Sequence, residues 1–284
     1  TYNVPHRVPW HWQVPAYLVT KAIGAGAFLV AAAGVALGLL PSLPLFTTVA
    51  SLLAILFIGL TVGLLVWDLD RPERFWTILV RPQWRSWLTR GAVVLIAFVA
   101  ASGLSWLAHA VDRPDLARYV VWPGVVLAIL SAVYTAFLFA QAEGRDLWQS
   151  TLLPWHLFVQ AVMAGAAALS IAGVLVGIPA DAARVLSWTL GSSLLVNLLL
   201  TAGGEFAVPH ASSVAATAAR MITRGRYAPH YRASLVGGLL LPLLLIVFGD
   251  GAPLAVAPAG ALSLAGLFLY EWAFVMAPQK IPNN

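Results

Sequence analysis

Eight apolar runs decide the fold class of this chain before any motif is considered. They fall at residues 14–40, 45–67, 91–111, 119–140, 152–178, 182–201, 233–249 and 253–276. Each has the length, about 17 residues or more, that a helix needs to cross the hydrocarbon core of a bilayer. A spanning segment must satisfy its own backbone hydrogen bonds, which leaves helices or a closed barrel. The two-residue alternation and regular turns of a barrel are absent. The sequence therefore predicts an all-α integral membrane protein of eight spans, read as one membrane domain over 1–284. The polar segment 141–151 divides the spans four and four, which points to two four-helix bundles.

Composition narrows the chemistry. The chain is 61% hydrophobic and 10% charged, against about 25% charged residues in soluble domains. No basic segment or small-residue cleavage site precedes the first run, so it reads as a retained span and not as a signal peptide. With no cysteine there is no disulfide, no thiolate-held iron–sulfur cluster and no thiol nucleophile. The sequence pI of about 9.9 reflects basic loops between spans, a pattern that topology and lipid headgroups explain without nucleic acid.

Eight spans put both termini on one side, side A, with the loops after spans 2, 4 and 6. Side A carries twelve of the sixteen Lys and Arg residues: Arg7, five in 71–90, Arg145, four in 220–232, and Lys280. Side B carries Arg113, Arg118 and Arg184, and Lys21 lies within span 1. By the positive-inside rule side A is cytoplasmic. The long loops, 68–90 and 202–232, are also on side A, so function is expected there.

The start of span 1, PWHWQVPAYLVTKAIGAG, sets His11, Gln13, Tyr17 and Lys21 near the side A interface. Gln13, Tyr17 and Lys21 are spaced by four and share a helix face. Lys21 lies about 10 Å down the helix from Val14. An ammonium at that depth either snorkels to the interface or takes a functional partner. Span 4 brings Tyr134 about two turns inside side A, and span 5 begins with His156. Tyr17, Lys21, Tyr134 and His156 meet if their helices adjoin. The result would be a polar-tipped pocket in an apolar bundle, suited to a quinone whose ring carbonyls take donors and whose tail takes lipid. Asp68, Asp70, His156 and Glu205, with Glu143 and His210 nearby, are the candidates for moving protons between that pocket and side A. Gln160, Asn197 and Ser131 read as interhelical hydrogen-bonding residues.

The loop WDLDRPERFWTILVRPQWRSWLTRG holds eight charges and four tryptophans between two apolar runs. Arg and Trp are enriched where proteins meet, so Arg71, Arg74, Trp76, Arg81, Trp84 and Arg85 are expected to form a docking surface. Local ion pairs of Arg71 with Glu73, or of Asp70 with Arg74, are also expected. Intramembrane haem needs two histidines at one depth. His109 falls near side B and His156 near side A, while His6, His11, His210 and His230 are terminal or loop residues, so no haem is expected.

Four segments, WHWQVPAYLVTKAIGAG, DLDRPERFWTILVRPQWRSWLTRGA, YTAFLFAQAEGRDLWQSTLLP and GLFLYEWAFVMAPQ, resemble the NrfD/polysulfide reductase membrane-subunit family over nearly the whole chain. The resemblance implies an eight-helix subunit of a prokaryotic cell membrane, free of haem and clusters, that exchanges electrons between a quinone (menaquinone or ubiquinone) and an iron–sulfur subunit joined to a molybdopterin catalytic subunit. It implies a quinone pocket between the start of span 1 and span 4. Tyr134 falls on the family's span 4 tyrosine, whereas Tyr17 stands in place of a histidine and Val14 in place of an asparagine. In that family the catalytic module is often outside the cell, which opposes the charge count. A passive anchor for a catalytic module, or a secondary transporter, are the alternative readings.

Overall fold

The computed structural model describes residues 10–142, 144–249 and 252–281, so His6, Arg7 and Glu143 lie outside the described residues. Among the described residues the secondary structure is helical throughout, with no strand. Eight helices among the described residues are long and apolar enough to cross a membrane: Gln13–Ala36, Leu45–Trp67, Trp87–Ala110, Pro114–Ala140, Leu153–Val176, Ala180–Glu205, Ala228–Phe248 and Ala255–Lys280. These are spans 1 to 8, and the protein is a multi-pass membrane protein.

Several spans are longer than hydropathy indicates. Span 3 starts at Trp87 because the Ser86 hydroxyl caps it, accepting from the Leu88 amide at 3.2 Å. Span 4 starts at Pro114, whose missing N–H is harmless in a first turn. Span 6 continues to Glu205 through the π-helical turn Leu199–Glu205, and span 7 contains a second, Ser234–Leu240. The 202–232 connection is not all loop. Ser212 caps a surface helix, Ser213–Thr223, whose Ala215, Ala218, Ala219 and Ile222 are buried.

Span 1 is the central helix and packs against spans 2, 4, 5 and 8; span 5 packs against spans 1, 4, 6 and 8. Lipid offers no hydrophobic drive for helices to associate, so close backbone approach at small residues does that work. The crossing of spans 1 and 5 is such a contact: a Cβ on Gly26 would overlap the Ala161 carbonyl, and one on Gly165 would overlap the Gly26 backbone. Gly238 and Gly266 meet in the same way between spans 7 and 8.

The entrance to span 1 is tied to the far end of the sequence. Gln279 accepts from the Trp10 amide at 3.0 Å and donates to the Trp10 carbonyl at 3.2 Å. Trp10 stacks on Trp148 and Phe139, with centroids 4.6 and 4.9 Å away. The Trp148 indole donates to the Phe274 carbonyl at 3.0 Å, and Arg145 donates to the carbonyls of Pro278 and Ile281 at 2.9 and 2.7 Å. The segments around Trp10, Trp148 and Phe274 therefore form one clamp around the side A end of span 1.

Candidate functional site

A cavity of about 450 Å³ opens at this clamped end. Span 1 and its approach contribute Trp10, His11, Val14 and Tyr17; the end of span 2 contributes Leu65, Asp68, Leu69 and Asp70; Leu88 and Leu138 close it from spans 3 and 4. Apolar side chains make up most of the walls, and His11, Tyr17, Asp68 and Asp70 add polar groups to them. That is the make-up of a site for a largely apolar ligand with a polar head.

Tyr17 is buried at the cavity's inner end, within electrostatic reach of Tyr134, Asp68 and Glu271. One helical turn deeper, Lys21 is 1% exposed. It does not snorkel: its ammonium donates to the Thr135 hydroxyl on span 4 and stands 4.9 Å from the centre of the Tyr134 ring. A neighbouring hydroxyl and a π face replace the interface as its partners. Tyr134 is wedged against span 3 at Gly91, where any Cβ would overlap the tyrosine ring. Tyr134 and Lys21 back the cavity and do not line it.

Of the two acids that line the cavity, Asp68 is the more buried. Its Oδ1 is buried without a hydrogen-bond partner, and burial pushes the carboxyl up to about 6, against the opposing pull of His11. Asp70 and His11 line the same cavity from exposed positions. Gln13 stands just outside it, its Oε1 also buried and unpartnered.

His156 does not join the tyrosines. It faces spans 6 and 8, with Nε2 2.7 Å from Asn197 Oδ1 and 3.2 Å from Thr201 Oγ1, and Nδ1 3.4 Å from the Tyr270 hydroxyl. Glu205 lies in that half as well, 3.5 Å from the Ser150 hydroxyl. His109 is at the opposite end of the molecule, its Nδ1 2.8 Å from the Ser105 carbonyl, beside a second cavity of about 340 Å³. Among the described residues no three His, Asp or Glu side chains cluster as metal ligands would.

In the 68–90 loop, Arg71, Arg74, Trp76, Arg81, Trp84 and Arg85 are all exposed. The loop is braced at its base, where Gln141 accepts from the Trp87 amide at 2.8 Å and donates to the Arg85 carbonyl at 3.0 Å, and Arg90 donates to the Trp84 carbonyl at 2.7 Å. The expected pairs Arg71–Glu73 and Asp70–Arg74 are not formed among the described residues. All four side chains are in solvent, where such a pair returns little for the rotamers it fixes. The arginines are left projecting.

The residue that sequence reasoning passed over is Glu271. It sits in the apolar run of span 8, 2% exposed, in the electrostatic field of Lys21. Its signal was an acid in the middle of GLFLYEWAFVM, a position that defaults to function.

Compared with known proteins, the sequence matches the family described as "Polysulphide reductase, NrfD" over residues 2–283. It is also similar to the C subunit of the polysulfide reductase of Wolinella succinogenes, with 26% identity over 193 residues. That similarity covers 59% of this protein and 59% of the relative, so the sequence spans under two thirds of the relative's length.

Proposed function

Because the protein belongs to the polysulphide reductase NrfD family, we propose that it is the membrane subunit of an oxidoreductase complex and that the cavity at Tyr17 and Asp68 receives a quinone. The observation that carries this reading is the partnerless buried Oδ1 of Asp68 in a cavity it shares with the Tyr17 phenol. An orphaned buried acceptor is costly unless a ligand meets it. A quinone carbonyl needs a donor, as Tyr17 offers, and a quinol hydroxyl needs an acceptor, as Asp68 offers. The residues present fit both forms of the head, and the apolar walls fit its tail.

A quinone bound there supplies two-electron, two-proton exchange. The protein's own part is to hold the head at Tyr17, to accept or return a proton at Asp68 Oδ1 with Asp70 and His11 beside it, and to keep water from the inner end. Lys21 and Tyr134 fix that inner end: the ammonium lies against the ring face, and Gly91 gives the ring its slot. The exposed loop of Arg71, Arg74, Trp76, Arg81, Trp84 and Arg85 follows Asp68 and Asp70 directly in sequence, so a subunit docked on it stands next to the cavity. The partners we propose are an iron–sulfur electron-transfer subunit and, through it, a molybdopterin-type catalytic subunit, in keeping with a relative named as one subunit of an enzyme. The membrane in this reading is that of a prokaryotic cell, and the excess of Arg and Lys on this side supports a cytoplasmic orientation.

Photoaffinity labelling with an azidoquinone tests the assignment. Labelled peptides should map to residues 10–17 and 65–70, with labelling suppressed by excess quinone. Label confined to the side B cavity around His109 would refute it.

A further inference from the structure

Two buried polar groups lie among spans 1, 4, 5, 6 and 8, and the buried Glu271 is within electrostatic reach of both. In one are Tyr17, Lys21, Thr135 and Tyr134. In the other, His156 binds Asn197, Thr201 and Tyr270. With Nε2 donating to Asn197 Oδ1, His156 Nδ1 is left to accept from the Tyr270 hydroxyl. That hydroxyl lies in the field of Glu205, at the side A end of span 6. The π-helical turn Leu199–Glu205 puts Thr201 and Glu205 on this face.

Glu271 follows Tyr270 in span 8, so its side chain turns about 100° away around the helix, toward Lys21. The two charges feel each other without forming a contact ion pair among the described residues. Span 5 spans the gap: His156 and Gln160, four apart on one face, address Tyr270 and Glu271 respectively. Nothing in the cavity requires Glu271 to be an acid, and an unneeded carboxyl in an apolar span is expensive.

We propose that Glu271 is the counter-charge to Lys21 when ionised and, by taking up and passing on a proton, links Glu205, Tyr270 and His156 to the inner end of the cavity, giving the site a second proton route from side A, separate from Asp68. This rests on the quinone reading above. Each transfer moves one proton and no electron: the Lys21 ammonium releases a proton toward the Tyr17 end, Glu271 restores it, and the carboxylate is refilled from the His156, Tyr270 and Glu205 side. Gln160 orients the carboxyl and carries no proton. Electrons pass between the quinone and the iron–sulfur partner, and the proton steps run in the matching direction.

The test uses the intact complex with Glu271→Gln, Glu271→Asp and Glu205→Gln. Quinone-analogue affinity should stay within about twofold of wild type in all three. Quinone-linked turnover should fall about tenfold or more in Glu271→Gln and Glu205→Gln, with partial recovery in Glu271→Asp. The infrared difference spectrum of analogue-bound minus free complex should show a protonated-carboxyl band that Glu271→Gln removes. A persisting band, or unchanged turnover in Glu205→Gln, overturns the route while leaving the cavity assignment intact. Absence of analogue binding in the wild type brings down the cavity assignment and the route with it. If Glu271→Gln does not assemble, the Glu205→Gln turnover decides.

Discussion

The Lys21 ammonium lies 4.9 Å above the Tyr134 ring and shares a buried field with Glu271. Two charges withdrawn from solvent in this way depend on each other. Lys21→Met leaves the Glu271 carboxyl without its cation and should lower the thermal unfolding temperature in detergent. Adding Glu271→Gln should restore part of the loss, with a coupling of about 1–3 kcal/mol in the double-mutant cycle. Additivity would show the charges to be independent.

Gly26→Ala should destabilise the protein by about 1–3 kcal/mol or more, because its Cβ would occupy the place of the Ala161 carbonyl. Gly59, with nothing within 4 Å of a built Cβ, is the control. Gly59→Ala should be neutral or gain up to about 1 kcal/mol from helix propensity. Thermal unfolding of the two variants checks the contrast, and equal shifts would contradict the packing at the crossing of spans 1 and 5.

Asp68 should give the cavity a pH dependence centred near 6, the value to which burial raises it. Below that pH the carboxyl is protonated; as pH rises through it, Asp68 loses its proton and becomes a charged acceptor. A quinol analogue bearing a hydroxyl should therefore bind roughly tenfold more tightly at pH 8 than at pH 5, the worth of one charge-assisted hydrogen bond. In Asp68→Asn the profile should be flat. An inflection near 6 that survives the substitution would assign it to another group.

Replacing Arg71, Arg74, Arg81 and Arg85 by Ala should weaken retention of the soluble subunits by about tenfold or more, most strongly at low salt, where the exposed charges are least screened. Analogue binding in the membrane should be unchanged. Co-purification of the subunits with the tagged membrane subunit reads the first effect and fluorescence quenching the second. Full retention would move the docking surface elsewhere.

The spans were legible because the bilayer imposes one length and one polarity on all of them. Their ends were less so. Hydropathy stops at Thr201 and resumes at Ala233, whereas the backbone runs on to Glu205 and starts again at Ala228, because a helix tolerates polar residues that a membrane does not. The surface helix Ser213–Thr223 had its signal in Ser212 and the spacing of Ala215, Ala218, Ala219 and Ile222, masked by the small size of alanine.

Tyr17, Lys21 and Tyr134 could be grouped from depth alone, since spans 1 and 4 carry them at one level. His156 sits at a similar depth, yet it faces spans 6 and 8. Depth is written in the position of a residue along its span; the direction it faces depends on how the helix is rotated against its neighbours. Glu271 was passed over for the same reason. Its neighbour Lys21 is 250 positions away, and only the packing of span 8 on span 1 joins them.

Trp10 lines the cavity and stacks on Trp148, which makes tryptophan emission a direct reporter of occupancy. Titration of the purified complex with a quinone analogue should quench that emission saturably, and Tyr17→Phe should weaken the binding by about tenfold, the cost of one lost hydrogen bond to a buried head. Quenching that never saturates in an intact complex would contradict a quinone site at this cavity and leave the protein as an anchor for its partners.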